Sequence, residues 1–238
     1  MLITTKAIVL THFKYGDTSL ICNCYTKYEG FLSFLVKGAF GKNKNKGVFS
    51  PLNLVEITYK QKTQHHSLHY FNSIQCSKPY VSLYENPIKM GMVFFLTEIL
   101  TACLKNETQQ NESFFEKLEK NLLLFDQKTD NYSEFHLFLL VQIIAHLGFS
   151  PDLSNPEFPF FDLQNGHFCL LAQKDSQLLQ NNDKDLFNKL FQLDFSEIST
   201  HSLTQLERKN GLNLMIRYLE LHLTNFKKPI SLEILKQL

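Results

Sequence analysis

The 238-residue sequence predicts an α+β chain: an N-terminal five-stranded OB-fold β-barrel over residues 1–80, then an α-helical domain over 81–238. Three observations predict it. The first 76 residues read as strands, with runs of alternating apolar and polar residues at the period of half-buried strands. Beyond residue 80 the period becomes helical, and capping signals stand at the starts of the runs. The charge changes sign at the same place. Residues 1–80 carry ten Lys against Asp17, Glu29 and Glu56, a net of +7, while 81–238 carry a net of −6.

Five strands are expected at about 3–13, 18–27, 30–38, 48–61 and 66–77. Leu20, Cys22 and Cys24 alternate with Ile21, Asn23 and Tyr25, and Val55, Ile57 and Tyr59 with Leu54, Glu56 and Thr58. Gly16-Asp17, Glu29-Gly30, Gly38–Gly47 and Gln61–His65 supply the turns. Five short strands in under 80 residues match an OB-fold in size. Helices follow. Asn86-Pro87 reads as an N-cap with Pro at the first helical position, opening a helix to about Lys105. Ser113 with Glu116, and Asn131 with Glu134, read as the starts of two more. The second of these stops at Gly148, with Pro151 beyond. Ser150–Ala172 reads as irregular, and Lys184–Leu193 as helical. Thr204 and Glu207 cap a long helix with Leu212, Met215, Leu219, Leu223 and Phe226 on its apolar face, and Ser231 starts a short last one.

Composition narrows the function classes. A 44% hydrophobic and 20% charged chain is globular. The formal net charge of +1 conceals two segments of opposite sign, which is the pattern of a domain that faces nucleic acid or a membrane. No signal peptide and no membrane span are expected. The longest apolar runs, Val93–Leu104 and Phe135–Phe149, are interrupted by Glu98 and by Gln142 with two His, and read as core helices. Five cysteines at irregular spacing do not form a secreted disulfide framework, so a reducing cytoplasm is expected. No nucleophile elbow, P-loop, dinucleotide fingerprint or zincin motif occurs, so a non-enzyme without cofactor is expected. Cys22 and Cys24 read as small buried hydrophobes rather than zinc ligands, because no second pair exists. His65, His66 and His69 cluster without a carboxylate nearby in sequence.

The segment Lys37–Lys46 carries four lysines, Lys37, Lys42, Lys44 and Lys46, with Phe40 between Gly38 and Gly41. Lysines neutralise phosphates and an aromatic ring stacks on an unpaired base, so this loop is the leading nucleic-acid-binding candidate. Lys6, Lys14 and Lys27 are candidates to extend its patch.

Thr5-Lys6-Ala7-Ile8-Val9-Leu10, Tyr15-Gly16-Asp17, Tyr25–Gly30 and Val36-Lys37-Gly38-Ala39 follow one another in the first half. Leu96–Leu100, Leu147–Leu153 and Tyr218–His222 follow in the second. In this order they resemble the RecO recombination-mediator family of bacteria, essentially end to end. The resemblance implies an OB-fold on a helical domain that binds single- and double-stranded DNA and anneals complementary strands. It also implies help in loading RecA onto strands coated with single-strand-binding protein (SSB), with RecR as partner, in the cytoplasm at the nucleoid.

The family often carries a four-cysteine zinc module. Here Pro156 and Pro159 stand at the first pair and only Cys169 remains of the second, so no metal is expected and Phe158, Phe160, Phe161 and Phe168 are expected to pack in its place. Docking of the acidic SSB C-terminal tail is implied too. Arg208 and Arg217, the only arginines, are its candidate contacts, beside the plainer reading of helix-surface charge or internal bonding. Nine residues apart, they are rotated by roughly 900° and face opposite sides of one helix. An OB-fold RNA-binding or adaptor protein with a helical docking domain is the alternative.

Overall fold

The computed structural model describes residues 1–39, 46–60, 68–105, 107, 111–172, 177–193, 195 and 203–236, with Lys46 by its backbone alone. Strands β1 (Leu2–Tyr15), β2 (Ser19–Thr26), β3 (Gly30–Val36), β4 (Leu54–Lys60) and β5 (His69–Lys78) close into a barrel in the order β1-β2-β3-β5-β4. This is the expected five-stranded OB-type barrel followed by helices. β1 serves two neighbours. Its first half pairs with β4, from Leu2↔Lys60 to Ile8↔Leu54, and its second half with β2, from Ala7↔Thr26 to Tyr15↔Ser19. The β1–β2 register shifts between Val9 and Thr11, so Leu10 is one extra residue, and such a bulge bends a strand from one partner to the next. The parallel pairs Phe34↔His69 and Leu35↔Tyr70 complete the closure. Gly16 and Gly30 take φ of +66° and +64° in the tight turns, where a side chain would be strained.

The fourth strand begins later than the alternation predicts. Residues 46–49 form a 3-10 turn, and Leu52 sits at φ +60° after Pro51. The Asn53 amide donates to the carbonyls of Gly47 and Val48, tying this turn down, and β4 begins only at Leu54. Val48 and Phe49 join the barrel core with Val9, Leu20, Phe34, Val55, Ile57 and Tyr59. Cys22 and Cys24 belong to that core, their sulfurs 3.7 Å apart, as small buried hydrophobes. The Tyr59 hydroxyl donates to Glu29 at 2.6 Å; burial and this neighbour push its ionisation far above the usual range.

The helices are α1 (Pro87–Leu104), α2 (Glu112–Gln127), α3 (Phe135–His146), α4 (Asn181–Leu190), α5 (Gln205–His222) and α6 (Leu232–Leu235). Two compact units emerge: residues 1–127 with 229–238, and residues 128–228. In the first, Asn86 caps α1 by accepting from Ile88 and Lys89, with Pro87 at the first position. α1 is long and apolar enough to cross a membrane, but most of it is buried, and it packs against β1 and α6. The expected Ser113–Glu116 capping box does not form. α2 starts at Glu112, and Asn111 accepts from the Phe114 N–H instead. The Asp126 carboxylate accepts from Val81, Ser82 and Leu83 N–H at 2.8–2.9 Å. The buried Lys89 ammonium reaches Ser82 and the Asp126 carbonyl, so the segment leaving the barrel is clasped to α1 and α2.

In the second unit α3 ends at His146, with Gly148 (φ +79°) just past its cap residue Leu147. The expected helix start at Asn131 and Glu134 differs in detail: Asn131 is left-handed, and Glu134 makes no cap bond but accepts from the Leu203 N–H. The stretch expected to be irregular holds β6 (Phe160–Asp162) and β7 (His167–Cys169), which form a small sheet with β8 (Leu178–Gln180) beyond it, in the order β7-β6-β8. Three-residue strands are too short to display a period. Phe161 and Phe168 are buried edge-to-face, 5.0 Å apart, and Phe161 packs on Phe187; Phe158 and Phe160 are only half-buried. The Thr204–Glu207 capping box forms as predicted. α5 ends at His222, so Leu223, whose backbone is extended, and Phe226 lie past the helix rather than on its face.

Candidate nucleic-acid interface

Directly paired residues of a sheet share a face, so the register alone sorts the outer surface of the barrel into rows. The row Tyr25↔Phe31 is covered: Tyr25 is fully buried, its ring 6.0 Å from Phe114 and 6.2 Å from Phe115 of α2. The next row, Thr11↔Asn23↔Ser33, is polar and internally bonded, Asn23 donating to Thr11 at 2.8 Å and accepting from Ser33 at 2.7 Å. The third row is Phe13↔Ile21↔Leu35↔Tyr70, running across β1, β2, β3 and β5. Phe13 is 51% and Tyr70 42% exposed, with Ile21 half-buried and Leu35 at 9% between them. An uncovered apolar and aromatic band on a barrel is a platform on which bases can lie.

Cations stand at the same end of the barrel. The register Lys14↔Leu20↔Val36 sets Lys14 level with the last residue of β3, at the barrel mouth and on the face opposite Phe13. The Lys37 ammonium lies 5.4 Å from the centre of the Tyr70 ring. Lys14 is exposed, and Tyr15 beside it is 54% exposed at the hairpin tip. A cavity of about 580 Å³ opens where the row ends, lined among others by Leu35, Lys37, Val48, Phe49, Tyr70 and Phe71.

The other lysines are placed differently. Lys6 lies 3.2 Å and Lys78 3.0 Å from Glu119 of α2. Burial pushes the Glu119 carboxyl up, but the hydrogen bonds from Lys78 and Lys6 outweigh it and hold it below the usual range. Lys27 meets Glu116 at 2.7 Å and Glu112 at 3.7 Å, and the Glu116 hydrogen bond raises its ionisation. The acidic face of α2 thus balances Lys6, Lys27 and Lys78, while Lys14 and Lys37 accompany the open row.

Phe40, Lys42 and Lys44 lie outside the described residues, as do His65 and His66; Lys46 opens the 3-10 turn. Gly38, entering the loop, has φ +61°. His69 is buried inside the barrel between Phe34 and Tyr59. Arg208 donates to the Leu203 carbonyl at 2.7 Å, and Arg217 donates to Gln177, both within their own unit. Among the described residues no His, Cys, Asp and Glu side chains gather in threes as a metal site. Phe13, Ile21, Leu35 and Tyr70 escape sequence reasoning. Each sits in ordinary alternation, and only inter-strand register shows that they share a row.

Comparison with known proteins bears on the same two segments. The family described as "Recombination protein O N terminal" matches residues 1–80, and "Recombination protein O C terminal" matches residues 84–229. A DNA repair protein RecO of Flavobacterium psychrophilum is 38% identical over 240 residues, covering 100% of this chain and 99% of its own length. That of Flavobacterium johnsoniae is 35% identical over 241 residues with the same coverage, and that of Porphyromonas gingivalis 24% over 233, covering 95% and 94%. With both halves of the family matched in order and relatives above 30% identity along its whole length, the chain belongs to the recombination protein O (RecO) family.

Proposed function

We propose that this chain is a DNA repair and recombination mediator that acts by binding rather than by catalysis. Residues 1–80 form its nucleic-acid-binding domain and residues 81–238 its protein-docking domain. Single-stranded DNA lies along the Phe13–Ile21–Leu35–Tyr70 row, and its phosphates meet Lys14, Lys37 and the lysines at 42, 44 and 46. Duplex DNA uses the lysines alone, because its bases are already stacked. A basic surface that screens two strands from each other lets complementary strands anneal. The family relation adds RecR, the SSB tail and help to RecA as partners of this activity. For that tail, Arg208 and Arg217 offer guanidiniums that must first exchange their internal bonds.

The observation that carries this function is the uncovered aromatic row beside Lys14 and Lys37, at the barrel end that α2 leaves open. A salt-titrated binding assay with single-stranded DNA, duplex DNA and RNA tests it, together with an annealing assay on complementary oligonucleotides. Salt-sensitive binding to single and double strands of DNA, with annealing, is expected. Equal or better binding to RNA without annealing returns the RNA-handling alternative, and binding to neither nucleic acid leaves a protein adaptor.

A further inference from the structure

Along β5, Ser73 faces Thr58 of β4 while Phe71 faces Tyr59, so Asn72 is one residue too many and forms a β-bulge. Bulges re-aim side chains and recur beside functional sites. Asn72 is exposed, lines the 580 Å³ cavity, and its side-chain amide has no hydrogen-bond partner among the described residues. β3 ends at Val36 and pairs with β5 at His69 and Tyr70 and no further, so the β3-facing edge of β5 from Phe71 to Cys76 has no strand partner among the described residues. The cavity is therefore walled on one side by an open backbone edge and a free amide, and on the other by Val48 and Phe49. Leu35 and Tyr70 line both this cavity and the end of the aromatic row.

We propose that this cavity is a pocket for one unpaired nucleobase of the single strand lying on the row, with the Asn72 side-chain amide hydrogen-bonding the edge of that base. The pocket presupposes the nucleic-acid function proposed above. Its volume falls within the roughly 300–1,000 Å³ of sites that enclose small ligands. An amide presents a donor and an acceptor, and so does the Watson–Crick edge of each of the four bases. A base in a duplex has that edge occupied and its faces stacked, so it cannot enter. The pocket thus selects unpaired strands by hydrogen bonding, where the lysines respond only to phosphate.

The test uses the full chain, with Asn72→Ala against wild type, on a single strand, a duplex, and an abasic strand of equal length. Asn72→Ala is expected to lose roughly three- to tenfold in single-strand affinity, the worth of one or two neutral hydrogen bonds. Duplex affinity and salt slope stay unchanged, because no charge is removed, and the two proteins bind the abasic strand alike. As a second measurement, an oligonucleotide carrying 4-thiothymine is crosslinked to unaltered protein, and the crosslink is expected within residues 69–78. Equal losses on single strand and duplex, no loss on either, a loss that persists on the abasic strand, or crosslinks confined to other segments overturns the pocket. Wild-type protein that binds no single strand at low salt overturns the function as well. Wild-type binding with an indistinguishable Asn72→Ala overturns the pocket alone.

Discussion

The Lys6 ammonium lies 3.2 Å from the Glu119 carboxylate, 113 positions away in sequence, and the same carboxylate holds Lys78 at 3.0 Å. The Glu119 side chain is 11% exposed and the two lysines about half exposed. Lys6→Ala keeps Glu119 bonded to Lys78, so it is expected to cost at most about 1 kcal/mol. Glu119→Ala removes both contacts and leaves two half-exposed cations to water, so it is expected to cost more, up to about 2 kcal/mol. Because the charge of Lys6 is balanced by α2, Lys6→Ala should change DNA affinity less than Lys14→Ala does. Urea denaturation and DNA titration of the three variants decide this. A larger DNA defect in Lys6→Ala would return Lys6 to the interface.

The lysines of the 37–46 segment set the salt dependence. If Lys37, Lys42, Lys44 and Lys46 all meet phosphate, they contribute a log–log slope of roughly −2.8 on single strands and roughly −3.6 on duplex. Changing Lys42, Lys44 and Lys46 to Glu should weaken binding to every sequence alike and flatten that slope. A triple variant that folds and keeps full affinity at moderate salt removes the loop from the mechanism.

Aromatic substitutions should separate the two strand classes. Phe13→Ala and Tyr70→Ala remove exposed rings from the ends of the row, and Phe40→Ala removes the ring of the basic loop. Each is expected to weaken single-strand binding by about 1–3 kcal/mol and duplex binding far less, since stacking needs an unpaired base. Parallel losses on both substrates would mean that these rings do not stack on bases.

Acid should destabilise the second unit before the first. His136 is fully buried, and burial, helped by the charge of Arg208, lowers its ionisation to about 3. The folded chain keeps His136 neutral, whereas the unfolded chain takes up the proton below about 6.5. Stability is therefore lost as pH falls from about 6.5 toward 3, by up to about 2 kcal/mol at pH 5. The Glu119 carboxyl, held below its ordinary value, adds its loss only below about pH 4.3. Urea midpoints at pH 7.5 and pH 5 are expected to diverge in wild type and to converge in His136→Phe. An unchanged pH dependence in that variant would assign the acid sensitivity elsewhere.

A lysine braces the segment of Pro156 and Phe158, where the resemblance implies a first cysteine pair. The Lys184 ammonium donates to the carbonyls of Pro156 and Phe158, both at 2.9 Å, and lies over the Phe168 ring, 5.8 Å from its centre. Lys184→Met leaves two carbonyls without that cation and should cost about 1–3 kcal/mol. A chelator should leave the Tm of the unaltered protein where it was, and metal analysis should find substoichiometric zinc. One tightly held zinc per chain would contradict this.

Five strands, the helix starts at Pro87 and Thr204, and the helix end just before Gly148 are all written in local chemistry, because alternation, capping side chains and a left-handed glycine act within a few residues. The positive balance of residues 1–80 and the family relation are equally local properties, legible without coordinates. Where a signal spans only three residues, as in the strands at 160–162, 167–169 and 178–180, sequence period had nothing to work with. Asn111 displaced Ser113 as a cap because two neighbouring residues can serve and packing chooses between them.

The candidate site divides along the same line. Its lysines are visible as composition, but composition does not say that Glu112, Glu116 and Glu119 of α2 face Lys27 and Lys6. That depends on which side of the barrel the helix covers. Nor can any local pattern align Phe13 with Ile21, Leu35 and Tyr70, which span 57 positions, or leave Asn72 bulged above a cavity. Register is a relation between strands, decided by the closure of the barrel and by the bulges that take up its mismatch. The sequence by itself determined a basic barrel followed by helices; tertiary pairing decided which of its charges α2 balances and where the aromatic path runs.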